Sequence, residues 1–213
     1  MNFKEFEAEL NDYLKIGDIQ KAISLAENKL KSYPTTDFHK ILNRNLLELS
    51  PKLIKFIDKF YTSAKDDFGG RKGIFSFFNT NKKPEKTLKA ISCEMNGITI
   101  NYDLWFINLF AFNFIENSED LDWLADYDFY SEKIFIISGF EDIQAIYKNY
   151  MENERWDEEN LETLLDLSEI IMILRLQELF KVTCEKAKTE NYPWTEIPIF
   201  VNGHDVELNY RTI

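Results

Sequence analysis

Apolar side chains recur every three or four residues along the first third of the chain, which is the spacing of one face of an α-helix. This pattern predicts helices over residues 2–15, 19–31, 37–48 and 50–65. Asp18 is suited to cap the second helix because its carboxylate can accept hydrogen bonds from first-turn N–H groups. Ser50 and Pro51 suit the start of the fourth helix. We therefore expect N-terminal helical hairpins, with residues 1–66 a candidate helical subdomain of a single 1–213 α+β domain.

Residues 17–30, with the sequence GDIQKAISLAENKL, resemble one helix-turn-helix unit of the tetratricopeptide repeat family. The resemblance covers about half of one repeat. A repeat array needs further copies at a period of about 34 residues, and the sequence contains no second copy at that spacing. We therefore interpret the segment as an ordinary helical hairpin.

Runs of β-branched and aromatic residues fill the middle of the chain and indicate strands. They predict strands over residues 87–95, 98–103, 104–115 and 133–138. Asn96–Gly97 predicts a tight hairpin between the first two, because both residues tolerate positive φ. The run 104–115 is a strand covered on both faces or a buried helix turn, and its aromatic content favours the strand. Strands 197–201 and 206–210 around Asn202–Gly203 predict a C-terminal hairpin.

Two helices are predicted after the central strands, over residues 141–151 and 157–188. Asp157 is placed to cap the longer one. Its middle, residues 170–174, reads IIMIL and is apolar on every side, so this helix should lie at the centre of the fold. Arg175 follows this run, and a buried arginine needs a partner, for which Glu178 and Glu169 are the candidates. The order of helices, strands, helices and hairpin predicts an α+β fold with a mainly antiparallel sheet.

Composition narrows the class of protein. The 213 residues are 45% hydrophobic, which excludes a disordered chain. Two cysteines, Cys93 and Cys184, are too few for a disulfide framework, and we expect both to be reduced. The N-terminus is charged, and no apolar run approaches the roughly 20 residues of a membrane span. We therefore expect a cytoplasmic protein without membrane association.

Charge is distributed unevenly along the chain. The net charge of −12 divides into 17 basic and 14 acidic residues over 1–110, and 8 basic and 23 acidic residues over 111–213. Carboxylates concentrate in two segments, 116–132 and 152–169. A negative surface repels nucleic acid and attracts basic proteins. The segment 69–84 is instead rich in basic and aromatic residues, a composition that resembles the grooves of proteins that bind single-stranded nucleic acid. The net negative charge of the whole chain opposes nucleic-acid binding, so we expect no nucleic-acid partner.

Catalytic and metal-binding motifs are absent from the sequence. It contains no nucleotide-binding glycine loop, no nucleophile elbow and no zinc-protease motif. Cys93, His204 and Asp205 form a possible nucleophile set, and Glu207 could join the last two at a metal, but nothing in the sequence brings them together. We expect no cofactor and no metal, and consider an enzyme less favoured than a binding protein. An enzyme of unknown, hydrolase-like class and a helical adaptor remain as alternatives.

Aromatic residues are interleaved with both acidic segments, and exposed aromatic rings rimmed by charge are typical of binding hot spots. We predict that the two segments share one face, which binds a basic protein partner. The predicted contact residues are Asp122, Trp123, Asp126, Tyr127, Asp128, Glu154 and Trp156. In size, acidity and lysine, asparagine and isoleucine content the chain is similar to bacterial immunity proteins, which implies a toxin domain as partner. The oligomeric state stays open.

Overall fold

The computed structural model describes residues 1–69, 86–116, 121–204 and 206–212. The helices are α1 (Phe3–Lys15), α2 (Ile19–Lys31), α3 (Ser50–Phe68), α4 (Glu141–Glu152) and α5 (Leu161–Thr189). The strands are β1 (Ala90–Met95), β2 (Phe106–Phe112), β3 (Phe129–Tyr130), β4 (Phe135–Ile136), β5 (Ile199–Gly203) and β6 (Val206–Arg211). The predicted α+β fold is confirmed, with its N-terminal helices, long central helix and C-terminal hairpin.

The strands form one sheet in the order β3-β2-β1-β5-β6, and β4 also pairs with β2. All pairs are antiparallel except β1 with β5, which run parallel. β6 therefore lies at one edge, where α1 covers it. The Asn11 side chain donates to the Glu207 carbonyl (2.6 Å) and accepts from the Asn209 N–H (2.9 Å), so it continues the hydrogen bonding that another strand would otherwise provide.

Helix α5 packs between the other helices and the inner face of the sheet. All five residues of the segment 170–174 are buried, which confirms the expectation drawn from their apolar run. α3 reaches the same face, where Phe60 contacts Phe129 and Phe56 contacts Phe135. Residues of all five helices and of the sheet contribute to one main core cluster.

Alternation along the strands divides the sheet into two faces. Ile107, Leu109 and Ala111 of β2 are buried in the main core. Their neighbours Phe106, Asn108 and Phe110 point to the other side, the outer face, and are only half-buried. The expectation that both faces of this strand are covered is therefore wrong over much of its length.

The predicted helix over 37–48 is replaced by two short 3-10 turns, Asp37–Ile41 and Leu47–Leu49. Asn43, between them, has a φ of 59°, which a helix does not accept. Its N–H donates to the buried Glu27 carboxylate at 3.1 Å, so a contact from α2 fixes this turn.

The predicted Asn96–Gly97 hairpin is wrong, because β1 pairs with β2 and not with residues 98–103. Asn96 instead holds a longer loop: its side chain accepts from the Phe106 N–H (2.6 Å) and donates to the Leu104 carbonyl (3.2 Å). Trp105 anchors the end of this loop and is fully buried. The predicted strand 133–138 is shortened to β4.

Two predicted helix starts also differ. Asp157 does not cap α5, because Arg155–Asp157 forms a separate 3-10 turn and the N-cap of α5 is Asn160. Ser50 is already helical in α3, with Leu49 at the N-cap position. The predicted cap at Asp18 is confirmed, since its carboxylate accepts from the Lys21 N–H at 3.1 Å.

Candidate functional site

The first acidic segment lies on the outer face of the sheet. Trp123 anchors it there: the indole is only 6% exposed, and its ring centroid lies 5.0 Å from that of Phe112 and 5.4 Å from that of Phe200. These rings form a second, smaller core cluster separate from the main one. The predicted contact residue Trp123 therefore packs the segment onto the sheet instead of presenting its ring to a partner.

The Asp128 carboxylate also forms its hydrogen bonds and ion pair within the protein. One carboxylate oxygen accepts from the Asn113 N–H at 2.7 Å, and the other accepts from the Asn113 side chain and pairs with Lys86. Its side chain is mostly buried, so its charge is satisfied where β2 ends. Asp128 thus positions the segment, whereas Asp122 and Asp126 lie exposed on it.

Tyr127 is the predicted aromatic that does reach the surface, with 44% of its area exposed. Its ring centroid lies 4.8 Å from Phe110 and 5.7 Å from Tyr130, which is 51% exposed. Phe110 and Tyr130 are directly paired in the β2–β3 ladder, so their side chains share the outer face. The three rings form a continuous aromatic surface.

The aromatic surface continues along β2. Phe106 is paired with Ile136 of β4, and the Ile136 side chain is exposed. We call these five residues the outer sheet patch: Phe106, Phe110, Tyr127, Tyr130 and Ile136. Tyr127 was a predicted contact residue and Tyr130 belongs to the aromatics of the first acidic segment, but the other three were not predicted. For Phe106 and Phe110 the alternate positions of β2 were the available signal, and that run is apolar at almost every position.

The second acidic segment lies elsewhere. Trp156 is 46% exposed and packs against Tyr150 of α4, which in turn contacts Phe38. Phe38 belongs to the main core on the inner side of the sheet. Glu154 is exposed beside it, at a φ of 51°. The prediction that both acidic segments share one face is therefore wrong: Trp123 and Tyr127 of the first lie on the outer face of the sheet, whereas Trp156 of the second packs on α4 among the helices of the main core.

The possible nucleophile set is not assembled. Cys93 points from β1 into the main core, and burial raises its thiol pKa well above the usual range. The neighbouring Glu94 points to the outer face, where its carboxylate meets His204 Nδ1 at 3.0 Å. Asp205 lies outside the described residues. Burial also raises the pKa of Cys184 to about 12, so neither thiol is activated.

The Asp166 carboxyl group on α5 has a raised pKa. Burial and the nearby Glu162 raise the pKa of Asp166 to about 6. Burial, followed by repulsion from Glu207, raises the pKa of Glu7 on α1 as well. Despite these neighbouring carboxylates, the described part of the chain holds no group of three or more His, Cys, Asp or Glu side chains arranged for a metal ion.

The raised pKa of Asp166 predicts a pH-dependent stability. Between about pH 4 and 6 the unfolded chain loses this proton before the folded chain does, so rising pH destabilises the fold. The shift of about two units corresponds to at most ~3 kcal/mol, which partial solvent exposure reduces to about 1 kcal/mol. We expect Asp166→Asn to raise the free energy of unfolding by about 1 kcal/mol at pH 7.5 and to change it little at pH 4.

Urea denaturation at both pH values measures this effect. Asp66→Asn, at an exposed position near the end of α3, is the control. A gain from Asp166→Asn that is equal at pH 4 and pH 7.5 would contradict the assignment, because the gain would then not come from removing a titrating carboxyl group.

No protein-family model, curated protein or solved structure matches the chain. Among the residues that the structure covers, no helix combines the length and the apolar character needed to cross a bilayer.

Proposed function

We propose that the chain is a protein-interaction module that binds a basic protein partner through the outer sheet patch and the adjoining carboxylates Asp122 and Asp126. The observation that carries the proposal is the contact among Phe110, Tyr127 and Tyr130, two of which are about half exposed although they pack against one another. Rings held in this way lose little conformational entropy on binding and can bury a large area.

Charge supports a basic partner. Asp126, which directly precedes Tyr127, and Asp122 are exposed on the same segment, and Lys86 pairs with Asp128 of that segment. An aromatic centre with a charged rim has the composition of a binding interface. The carboxylates would steer a cationic partner and speed association, while the rings would supply most of the affinity.

The enzyme alternative has less support, because Cys93 and His204 lie on different faces of the sheet. Within the proposed class, a bacterial immunity protein that neutralises a basic toxin domain fits the surface chemistry. No observation supports the alternative of a helical adaptor, because the apolar side chains of α1, α2 and α3 pack into the main core and are not available to a partner.

The test compares matched variants in quantitative affinity purification from the native host, followed by binding of the purified partner at several salt concentrations. Tyr127→Ala/Tyr130→Ala should weaken binding about 30-fold or more, as loss of hot-spot rings does. Asp122→Lys/Asp126→Lys should reduce mainly the association rate and flatten its dependence on salt.

Two controls locate the site. Glu5→Lys/Glu9→Lys makes the same charge change on exposed positions of α1, at the other edge of the sheet. Glu154→Lys/Trp156→Ala alters the second acidic segment. Both should leave the affinity within about twofold. The proposal fails if the partner is acidic, if it binds both patch variants as tightly as the wild type, or if only the Glu154 and Trp156 variant weakens it.

A further inference from the structure

A cleft of about 330 Å³ opens at the end of α5 away from the outer sheet patch. Lys181, Cys184 and Lys188 line one wall and are spaced three or four residues apart, so they share one face of the helix. The opposite wall is formed by Leu14, in the last turn of α1, and by Gly17, in the turn that follows it. The remaining walls come from residues 194–197 and from the end of β6. The volume is at the small end of the 300–1,000 Å³ usual for ligand sites.

The lining of this cleft is cationic, in a chain whose net charge is −12. Three lysines face a single carboxylate, that of Glu185. They are Lys15, Lys181 and Lys188. Lys181 is held in place, because its Nζ donates to the Gly17 carbonyl at 2.9 Å. The pairing of Lys15 with Asp12 spans 3.9 Å on an exposed surface and neutralises it weakly. Arg211 borders the cleft at the end of β6, but its guanidinium lies over the outer-face Phe200 ring, 5.8 Å from the ring centroid, and does not add to the charge of the lining.

The apolar part of the lining contains a polar group without a partner. Trp194 is fully buried, and its Nε1–H has no acceptor among the described residues. Because the Nε1 atom is itself buried, the indole serves here as an apolar wall and as a reporter of binding, and the lysines are the groups that meet the charge of a ligand. The hydroxyls of Thr195 and Thr212 are already engaged, with the Tyr192 carbonyl and the Ile199 N–H respectively.

We propose that this cleft binds a small organic anion, with its apolar body against Trp194, Leu14 and Ile197 and its charged oxygens toward Lys181 and Lys188. A carboxylate and a phosphate monoester share this chemistry, since both place anionic acceptor oxygens on an apolar body. The inference is independent of the outer sheet patch, which lies on the other side of the sheet.

The experiment titrates the ¹⁵N-labelled full chain and follows the indole N–H signal of Trp194, assigned by its loss in Trp194→Phe. The probes are phenyl phosphate, benzoate, inorganic phosphate and benzyl alcohol. We expect a saturable shift of this signal with phenyl phosphate, benzoate or both, and at least tenfold weaker binding of inorganic phosphate and benzyl alcohol. Which of the first two binds more tightly identifies the charged group.

Two matched variants test the lysines. Lys181→Gln/Lys188→Gln should raise the dissociation constant about tenfold or more, whereas Lys52→Gln/Lys55→Gln, on exposed positions of α3, should change it less than twofold. Lys188→Gln alone keeps the Lys181 contact with Gly17 and should still weaken binding. The proposal is overturned if no probe shifts the Trp194 signal, if benzyl alcohol binds as well as the anions, or if both double variants weaken binding equally.

Discussion

Replacement of Arg175 by methionine is expected to lower the free energy of unfolding by about 3–5 kcal/mol, the usual cost of leaving a buried charge without its partner. The Arg175 guanidinium donates to Glu27 at 2.7 Å and to Glu178 at 2.9 Å, and all three side chains are buried. Arg175→Met keeps most of the volume but leaves the buried Glu178 carboxylate without this cation and Glu27 with the half-exposed Lys31 at 3.7 Å. Urea denaturation at pH 7 measures the loss.

The triple variant Arg175→Met/Glu27→Gln/Glu178→Gln separates charge from packing. Both glutamines retain an oxygen, which the Asn43 N–H and the Gln20 side chain need as acceptors. Because the triple variant leaves no buried charge at this site, and the Lys31 ammonium that loses Glu27 is half exposed, it should recover most of the stability lost by Arg175→Met. A triple variant less stable than the single one, or a single variant within 1 kcal/mol of the wild type, would contradict the argument.

This ion pair also shows where sequence reasoning stops. Glu178 was predicted as a partner because it lies one helical turn from Arg175. Glu27 was not predicted, since it is 148 positions away, and it takes the place assigned to Glu169. The same Glu27 fixes the turn at Asn43 and so ends the predicted helix over 37–48. Distant contacts of this kind leave no signal in local periodicity.

The elements predicted correctly are those whose structure is determined by residues close to one another in the sequence. α1, α2 and α4 follow their apolar spacing, and the C-terminal hairpin forms as predicted, although Asn202 and Gly203 lie within β5 and the connection to β6 comes after Gly203. The Asn96–Gly97 pair failed although its local signal is equally strong. There the Asn96 side chain bonds across to β2, and the burial of Trp105 holds residues 98–103 in a loop.

The candidate site was predictable in charge but not in geometry. The sequence shows that carboxylates and aromatic rings are interleaved over 116–132. It does not show that Asp128 forms an ion pair with Lys86 and accepts a hydrogen bond from Asn113, or that the Trp123 ring packs into a small second core. Exposure of Phe110 could not be predicted either, because it depends on which part of the outer face other residues cover.

The second large effect concerns Gln177, a fully buried side chain on α5 that joins this helix to the C-terminal hairpin. Its Nε2 donates to the Val201 carbonyl at 3.0 Å and to the Leu208 carbonyl at 2.9 Å. The β5–β6 pairing shifts its register between Val201 and Gly203, so the ladder is interrupted beside these bonds. Gln177→Met should lower the free energy of unfolding by about 2–4 kcal/mol, because two buried carbonyls lose their donor.

Gln144→Met is the matched control, since Gln144 is buried on α4 and its Nε2 has no acceptor among the described residues. It should cost less than about 1 kcal/mol. Amide hydrogen exchange in β5 and β6 should quicken in Gln177→Met and stay unchanged in Gln144→Met. Packing offers the competing explanation, because Gly203 approaches Ile173 of α5 so closely that a Cβ there would lie 2.5 Å from its Cδ1. If Gln177→Met loses no more stability than the control, this close packing, and not the two hydrogen bonds, holds the hairpin to α5.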